Sequence, residues 1–199
     1  MDIQTAIDAL PVVGGVIDIP VGSHPGSALR MRDNVILRGQ GNSTIIPPII
    51  NGVGERIYGV GLEYLIVDAT LAPGTPYAID WRDITQGFAN HITARGGTYG
   101  MVASGTSLYN SFFHAFFNGS VCGAEFYNGA NSNWPTHCKF SGPVGLNIIG
   151  CNGIALFGGA LEWHMPNMTF KTISGDGGST RAVGIRQEDA NHSSTYWNQ

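Results

Sequence analysis

The segment Gly14–Ile46, GGVIDIPVGSHPGSALRMRDNVILRGQGNSTII, contains short apolar runs with almost no residues between them. The runs are Val16–Ile19, Leu29–Met31, Val35–Leu37 and Thr44–Ile46, and glycine, proline, asparagine or aspartate separates each run from the next. Short runs that are rich in valine and isoleucine and bounded by turn residues predict β-strands. Because the connections are so short, consecutive strands must be joined by corners.

A short helix is predicted before these strands. Asp2 is suited to cap it, and Ile3, Ala6, Ile7 and Leu10 recur on one helical face. Pro11 and the pair Gly14-Gly15 end the helical pattern. The rest of the chain has no comparable helical period, so we expect an all-β protein with one helix at its start.

Similar strand segments recur along the chain at an interval in the twenties. Their central residues are Ile66, Ile92, Phe113, Lys139 and Leu161, and the successive differences in residue number are 26, 21, 26 and 22. Such an interval is typical of a repeat architecture in which each repeat buries its apolar side against its neighbours. With two or three short strands per interval, the pattern predicts a parallel β-helix, a form of β-solenoid.

The composition excludes several classes of protein. Charged residues make up 12% of the 199 residues, and the net charge of -4 with no basic run argues against nucleic acid or membrane-surface partners. No apolar run reaches the roughly 18 residues of a membrane span. The N-terminal sequence lacks the features of a secretory signal. Three cysteines, at 122, 138 and 151, have no metal-binding spacing and are expected to be buried thiols.

The N-terminal part of the chain, as far as Ile46, resembles the pectate-lyase-like superfamily. The resemblance rests on the helix Ile3–Leu10, on Gly14-Gly15, on the Asn34–Gly41 sequence NVILRGQG and on the Thr44–Ile46 strand. It implies a right-handed parallel β-helix of the kind found in bacteriophage tail spikes and polysaccharide-degrading enzymes. We therefore expect a cap helix at 1–13, a parallel β-helix at 14–187, and a C-terminal lid or subunit-contact tail at 188–199.

The resemblance does not specify an activity, because its fold carries lyases, hydrolases and inactive structural proteins alike. Relative to catalytic members the chain is short and begins almost directly at the cap helix. It is therefore expected to be either a fragment or a compact coat or tail component.

Glycoside hydrolysis in this fold would need two carboxyl groups about 5 to 9.5 Å apart. No two carboxylates occupy clearly equivalent places in the sequence repeats. The most suggestive cluster is Leu161–Pro166, LEWHMP, in which Glu162 would serve as an acid, Trp163 would stack on a sugar and His164 would assist. The alternative is a solvated glutamate beside a packed tryptophan. The remaining carboxylates considered are Glu63, Asp68, Asp80, Asp83 and Glu125.

A second polar and aromatic group lies at Asp80–Asp83, DWRD. It is a candidate sugar-contacting or protein-contacting loop, in which Trp81 would bind the ligand and Asp80 and Asp83 would be weak catalytic candidates. The alternative is a corner held by an Arg–Asp pair. His91, His114 and His137 have no ligand-like spacing, and we expect neither a metal nor a cofactor.

Oligomer contacts are predicted from surplus aromatic residues. Phe112, Phe113, Phe116 and Phe117 are more than one side of a strand can bury, so Phe112 and Phe116 are assigned to an interface, with Tyr196 and Trp197 as a lid or a further contact. The resemblance implies a homotrimer.

Three functions are compatible with the sequence. They are a non-enzymatic virion structural protein, a polysaccharide lyase or hydrolase, and a module that binds a glycan or receptor. The first is preferred, with other virion proteins and host surface polysaccharide as partners. It implies synthesis in the host cytoplasm without a signal peptide and a place on the virion surface.

Overall fold

The chain folds into a parallel β-solenoid of about six turns preceded by one short helix, as predicted. A computed structural model describes residues 2–51, 55–162, 171–173, 181–188 and 194–198. Strands pair with their equivalents in the next coil rather than with their neighbours in sequence, so the connections need only be corners. Among the described residues, no helix is long and apolar enough to cross a membrane.

The helix α1 spans Ile3–Ala9, and nineteen strands follow it in the described parts of the chain. The strands are β1 Gly15–Asp18, β2 Gly22–Ser23, β3 Leu29–Arg30, β4 Val35–Arg38, β5 Thr44–Ile46, β6 Ile49–Ile50, β7 Ile57–Tyr58, β8 Gly61–Asp68, β9 Tyr77–Asp80, β10 Ile84–Thr85, β11 Phe88–Ala103, β12 Ser111–Phe113, β13 Phe116–Tyr127, β14 Trp134–Ser141, β15 Val144–Ile149, β16 Ala155–Glu162, β17 Lys171–Ile173, β18 Arg181–Glu188 and β19 Ser194–Asn198. Short 3-10 turns lie at Gly41–Ser43 and Ala69–Leu71.

The pairing register gives the length of each coil. Offsets between paired residues are 20, 25, 27, 23, 23 and 21, measured at Gly15–Val35, Ile36–Gly61, Gly61–Phe88, Phe88–Ser111, Ser111–Trp134 and Thr136–Phe157. The interval predicted from sequence is therefore confirmed, but three of the five predicted equivalences are wrong. The column of equivalent positions that contains Ile66 continues in the following coils with Thr93, Phe116, Lys139 and Ala160. Ile92, Phe113 and Leu161 are not members of it.

Bends with a left-handed backbone explain that error. One residue per coil at the same bend has a φ of about +50 to +60°, and each such residue interrupts the inward and outward alternation of its strand. These residues form one column along the solenoid axis. A second column of left-handed residues lies at the corner before β8, β11, β12 and their equivalents. The first column comprises Tyr64, His91, His114, His137 and Gly158, and the second comprises Gly59, Gln86, Tyr109, Ser132 and Gly153.

The helix α1 is attached to the first coil by two side chains. The Gln4 amide donates to the Arg30 carbonyl and accepts from the Arg30 N–H, as a neighbouring strand would. The Arg32 guanidinium donates to the carbonyls of Ile7, Leu10 and Pro11 at the C-terminal end of the helix. Asp2 caps the other end by accepting from the Thr5 N–H, as predicted. The helix therefore covers the strand edge at which the solenoid begins.

The last described strand departs from the parallel pattern. β19 pairs antiparallel with β18, with Tyr196 opposite Arg186 and Trp197 opposite Ile185. The backbone of β19 thus lies along the edge of the last described coil. The side chains of Tyr196 and Trp197 lie outside the described part of the structure, so their predicted contacts stay predictions.

Candidate interaction surface

The described candidate carboxylates are held by partners within the solenoid. Glu63 accepts from Arg38 Nε at 2.9 Å, one coil away, and Glu125 accepts from the Asn147 amide at 2.7 Å. Asp68 accepts from Arg95 Nε at 2.8 Å. Burial raises the pKa of Asp68, but hydrogen bonds from Thr70 and Arg95 outweigh burial, and the pKa lies below its usual value. These carboxylates link one coil to the next.

The Asp80–Asp83 group forms a structured corner. Asp80 is almost fully buried and receives Arg82 through both carboxylate oxygens, with Nε at 2.7 Å from Oδ1. The hydrogen bond to Asp80 raises the pKa of Arg82. Asp83 accepts from the backbone N–H of Thr106 at 2.9 Å. This geometry matches the structural alternative, a corner held by an Arg–Asp pair.

Trp81 and Phe112 are in the core, which corrects two assignments. Trp81 has no exposed surface and packs edge-on against Phe112, with ring centroids 5.5 Å apart. A ligand cannot stack on Trp81 in this fold. Phe112 also contacts Phe117 and Phe126, so it is not available to a neighbouring subunit. Phe116 is partly exposed, and among the four phenylalanines at 112, 113, 116 and 117 it is Phe113 that faces solvent, at 40% exposure.

The backbone places two glutamates beside each other that the sequence pattern did not connect. Glu162 of β16 is in register with Glu188 of β18, the equivalent position one coil later. Adjacent strands lie about 4.8 Å apart. The side chains of both glutamates, and the predicted site residues Trp163 and His164 as a whole, lie outside the described residues.

One wall of the solenoid presents exposed apolar side chains. Segments 61–63, 88–90, 111–113, 134–136, 155–157 and 181–183 stack in successive coils, and their central residues point inward where described. Residues beside them in the later coils point outward. We call this outward set the aromatic wall: Tyr109, Phe113, Trp134, Phe157 and Val183, which are 53, 40, 38, 45 and 46% exposed. Tyr109 and Trp134 are in contact, with ring centroids 6.2 Å apart.

The aromatic wall is almost free of charge. The four stacked segments between 88 and 157 contain no aspartate, glutamate, lysine or arginine. From Gly96 to Leu161 the sequence has only two such residues, Glu125 and Lys139, and both lie on other walls. An exposed apolar patch without charge is characteristic of the centre of a binding surface.

A column of stacked rings borders this wall. Tyr64, His91, His114 and His137 follow one another in successive coils, with centroids 5.2, 4.6 and 5.3 Å apart. Each ring belongs to a left-handed bend, a conformation in which histidine is tolerated better than most residues. The sequence signal was available, since the three histidines are equally spaced along the chain. Within the described residues, no three potential metal-binding side chains come together.

A polar groove lies further along β11 and β13, beyond the bends at His91 and His114. It is lined by Thr75, Thr98, Asn118 and Ser120 together with the backbone of Gly96, Gly97 and Gly119. Asn118 is in register with Ser141, and Ser141 with Glu162. The groove thus offers uncharged hydrogen-bonding groups, and the Glu162–Glu188 register lies further along the same column.

The cysteines are buried and free, as expected from the sequence. Burial raises the pKa of Cys122 and of Cys138 to about 12, and burial also raises that of Cys151. At pH 8 these thiols are therefore protonated, and the thiol form is unreactive.

We expect the folded protein to give no fast reaction with a thiol-disulfide reagent at pH 8. All three thiols should react at once in 6 M guanidinium, where the folded environment that raises their pKa is lost. A single thiol that reacts within seconds in the folded protein would contradict the burial of that cysteine.

Comparisons with known proteins give no family. No protein-family model and no curated protein sequence matches the chain. A solved structure described as "Geobacillus virus E2 - ORF18" aligns over 94% of this chain and 57% of its own, with a TM-score of 0.48 and 12% identity. One described as a "putative glycosyl hydrolase" from Parabacteroides merdae aligns over 99% of this chain and 91% of its own, with a TM-score of 0.38 and 11% identity. The chain thus spans little more than half the length of the viral protein.

Proposed function

We propose that this chain is a non-enzymatic structural protein of a bacteriophage virion surface and that it assembles as a homotrimer. Its working surface is a solenoid wall rather than a catalytic cleft. The observation that carries the proposal is a contrast between two sets of residues. Described carboxylates that would serve catalysis are paired within the solenoid. Tyr109, Phe113, Trp134 and Phe157, in contrast, are exposed on one wall whose segments between 88 and 157 carry no charge.

The placement on a virion rests on the sequence resemblance to phage β-helices and on the suitability of the fold. A parallel solenoid is a rigid prism whose walls carry side chains at a fixed spacing of about 4.8 Å per coil. Such a prism provides structure and contact surface without any moving part. The proposal includes synthesis in the host cytoplasm and contacts with other virion proteins.

The test combines co-purification with an activity assay on the same preparation. We expect the protein to sediment with intact virions and to release neither reducing ends nor unsaturated uronates from bacterial surface polysaccharides. Its mass after release from the particle should be three times the chain mass of 21.1 kDa. Absence from purified particles would overturn the virion assignment.

A polysaccharide-cleaving enzyme is the second candidate, because Glu162 and Glu188 are in register in adjacent coils. Retaining glycosidases need two carboxyl groups about 5 to 5.5 Å apart, and equivalent positions of neighbouring coils provide a backbone spacing near that value. The groove lined by Asn118 and Ser120 would hold the glycan.

The two candidates give opposite results with the same variants. Cleavage that is abolished in both Glu162→Gln and Glu188→Gln, and retained in the control Glu125→Gln, would establish the enzyme and overturn the structural proposal. Binding of a glycan that is lost in Asn118→Ala, with no product released by any variant, would instead identify a receptor-binding role compatible with a virion protein.

A further inference from the structure

We infer that the aromatic wall is the face on which a second copy of this chain packs. The inference rests on the proposed function, because it specifies the contact of the homotrimer proposed there. It assigns the contact to Tyr109, Phe113, Trp134 and Phe157, and it excludes the partly exposed Phe116 and the buried Phe112 as its centre.

The distribution of exposed apolar residues locates the contact. Phe113 and Phe157 occupy the same column two coils apart, with Thr136 between them, and Val183 continues that column in the next coil. At about 4.8 Å per coil, this column extends over roughly 14 Å from Phe113 to Val183. Trp134 and Tyr109 lie beside it and are in contact with each other. The apolar side chains therefore form a continuous strip along the solenoid axis.

The absence of charge at the centre of the aromatic wall favours a second copy of this chain as the partner. In a trimer the residues nearest the threefold axis meet their equivalents in the other two copies, so charged residues there would repel one another across the contact. The four segments between 88 and 157 avoid this entirely, although the whole chain has a net charge of -4. The charged residues of this wall lie at its two ends, where Glu63 is paired with Arg38 and where Arg181 occurs in sequence. An uncharged centre with charges at the rim is the usual anatomy of a protein contact.

The bordering histidine column fits the same arrangement. An imidazole ring has polar nitrogen atoms and apolar faces. His91, His114 and His137 are exposed beside the apolar strip. Rings of this kind suit the edge of an interface, where part of the side chain is covered and part contacts water. The next column beyond them contains Thr93, Phe116, Lys139 and Ala160, and of these four Lys139 is exposed.

The experiment compares single substitutions of equal exposure on and off the wall. Phe157→Asp and Phe113→Asp place a carboxylate in the strip, and Val121→Asp places one on an exposed apolar residue outside it. Phe157 and Val121 are both 45% exposed, so the two substitutions are matched in fractional exposure. Native mass spectrometry or light scattering gives the mass over a range of concentrations, and circular dichroism checks the fold of each variant.

We expect the native chain and Val121→Asp to form the same oligomer. Phe157→Asp and Phe113→Asp should be monomers, with the dissociation constant raised at least about 30-fold, as expected when a central interface aromatic is lost. If an aspartate variant fails to fold, the matched pair Phe157→Ser and Val121→Ser takes its place.

The outcomes separate this inference from the proposed function. An oligomer that persists in both phenylalanine variants overturns the wall contact and leaves the trimer standing. A dimer that is lost in these variants supports the wall contact and overturns the trimer. A native chain that is monomeric at 100 μM overturns both the wall contact and the trimer. If Phe157→Asp then also abolished retention of the chain on virions, the wall would be assigned to a contact with another virion protein.

Discussion

Replacing Gly119 by alanine should lower the free energy of unfolding by about 3–5 kcal/mol, at the severe end of single substitutions. A Cβ at this position would lie 2.1 Å from the Cys122 carbonyl oxygen, 2.6 Å from that of Thr98 and 2.8 Å from the Gly100 nitrogen. All three are backbone atoms: one belongs to β13 itself and two belong to the paired strand β11. They cannot rotate away as a side chain would, so at least one strand must shift.

The position also explains the size of the effect. Gly119 is paired with Gly97 at a point where β11 and β13 change register, so the two backbones approach closely. A shift there would propagate into Asn118 and Gly123, which contact the next coil. Backbone displacement in a closely packed interior is costly because the surrounding groups lose contacts on both sides.

The measurement is urea unfolding followed by circular dichroism, with Gly26→Ala as the matched control. The nearest atom to a Cβ at Gly26 is Pro47 Cγ at 3.8 Å, an ordinary contact, and its φ is outside the left-handed region. The control should change the free energy of unfolding by less than about 0.5 kcal/mol. If Gly119→Ala were as stable as Gly26→Ala, this result would contradict the close approach of β11 and β13 at Gly119.

Replacing Asn110 by alanine should cost about 3 kcal/mol, because it leaves the Gly87 N–H without a partner and removes several further buried hydrogen bonds. Asn110 is fully buried at a corner of the coil. Its side-chain oxygen accepts from the Gly87 N–H at 2.8 Å, and its amide nitrogen donates to the Ile84 carbonyl at 2.8 Å. The amide also donates to Asn133 Oδ1, one coil further on.

A double-mutant cycle tests this network more sharply than a single variant. Since Asn110 and Asn133 share hydrogen bonds, Asn110→Ala and Asn133→Ala together should cost less than the sum of the two, with a coupling of about 1 kcal/mol. The exposed Asn152 provides the control, and Asn152→Ala should lie within about 0.5 kcal/mol of the native chain. Strict additivity would show that the two amides act independently.

The sequence predicted the fold class because its signals are local. Asp2, Gly14-Gly15 and the spacing of short valine-rich and isoleucine-rich runs are visible without any knowledge of pairing. The faces of Trp81 and Phe112 depend instead on the register between coils and on where the backbone bends. A left-handed bend at a histidine or tyrosine shifts the alternation of inward-facing and outward-facing side chains along the strand. The strand propensities of these residues do not reveal such a bend.

Equal spacing of identical residues was the signal that was missed. His91, His114 and His137 are equally spaced along the chain, and Asn110 and Asn133 are separated by the same interval. Aligning the chain on these residues would have given the correct register for β12 and β14, and with it the outward position of Phe113. The Glu162–Glu188 register could not be found in this way, because the interval between these two glutamates is longer.

The narrow range of pairing offsets has a consequence for how the chain acquires its structure. The chain entropy lost on closing the shortest coil and the longest coil differs by only about 0.3 kcal/mol. Entropy therefore gives no coil an advantage in nucleation, and side chains must decide where winding starts. Trp81, Phe112, Phe117 and Phe126 are among the largest fully buried side chains, and their burial removes a large apolar area from water. We therefore expect winding to begin at this cluster and to spread toward both termini.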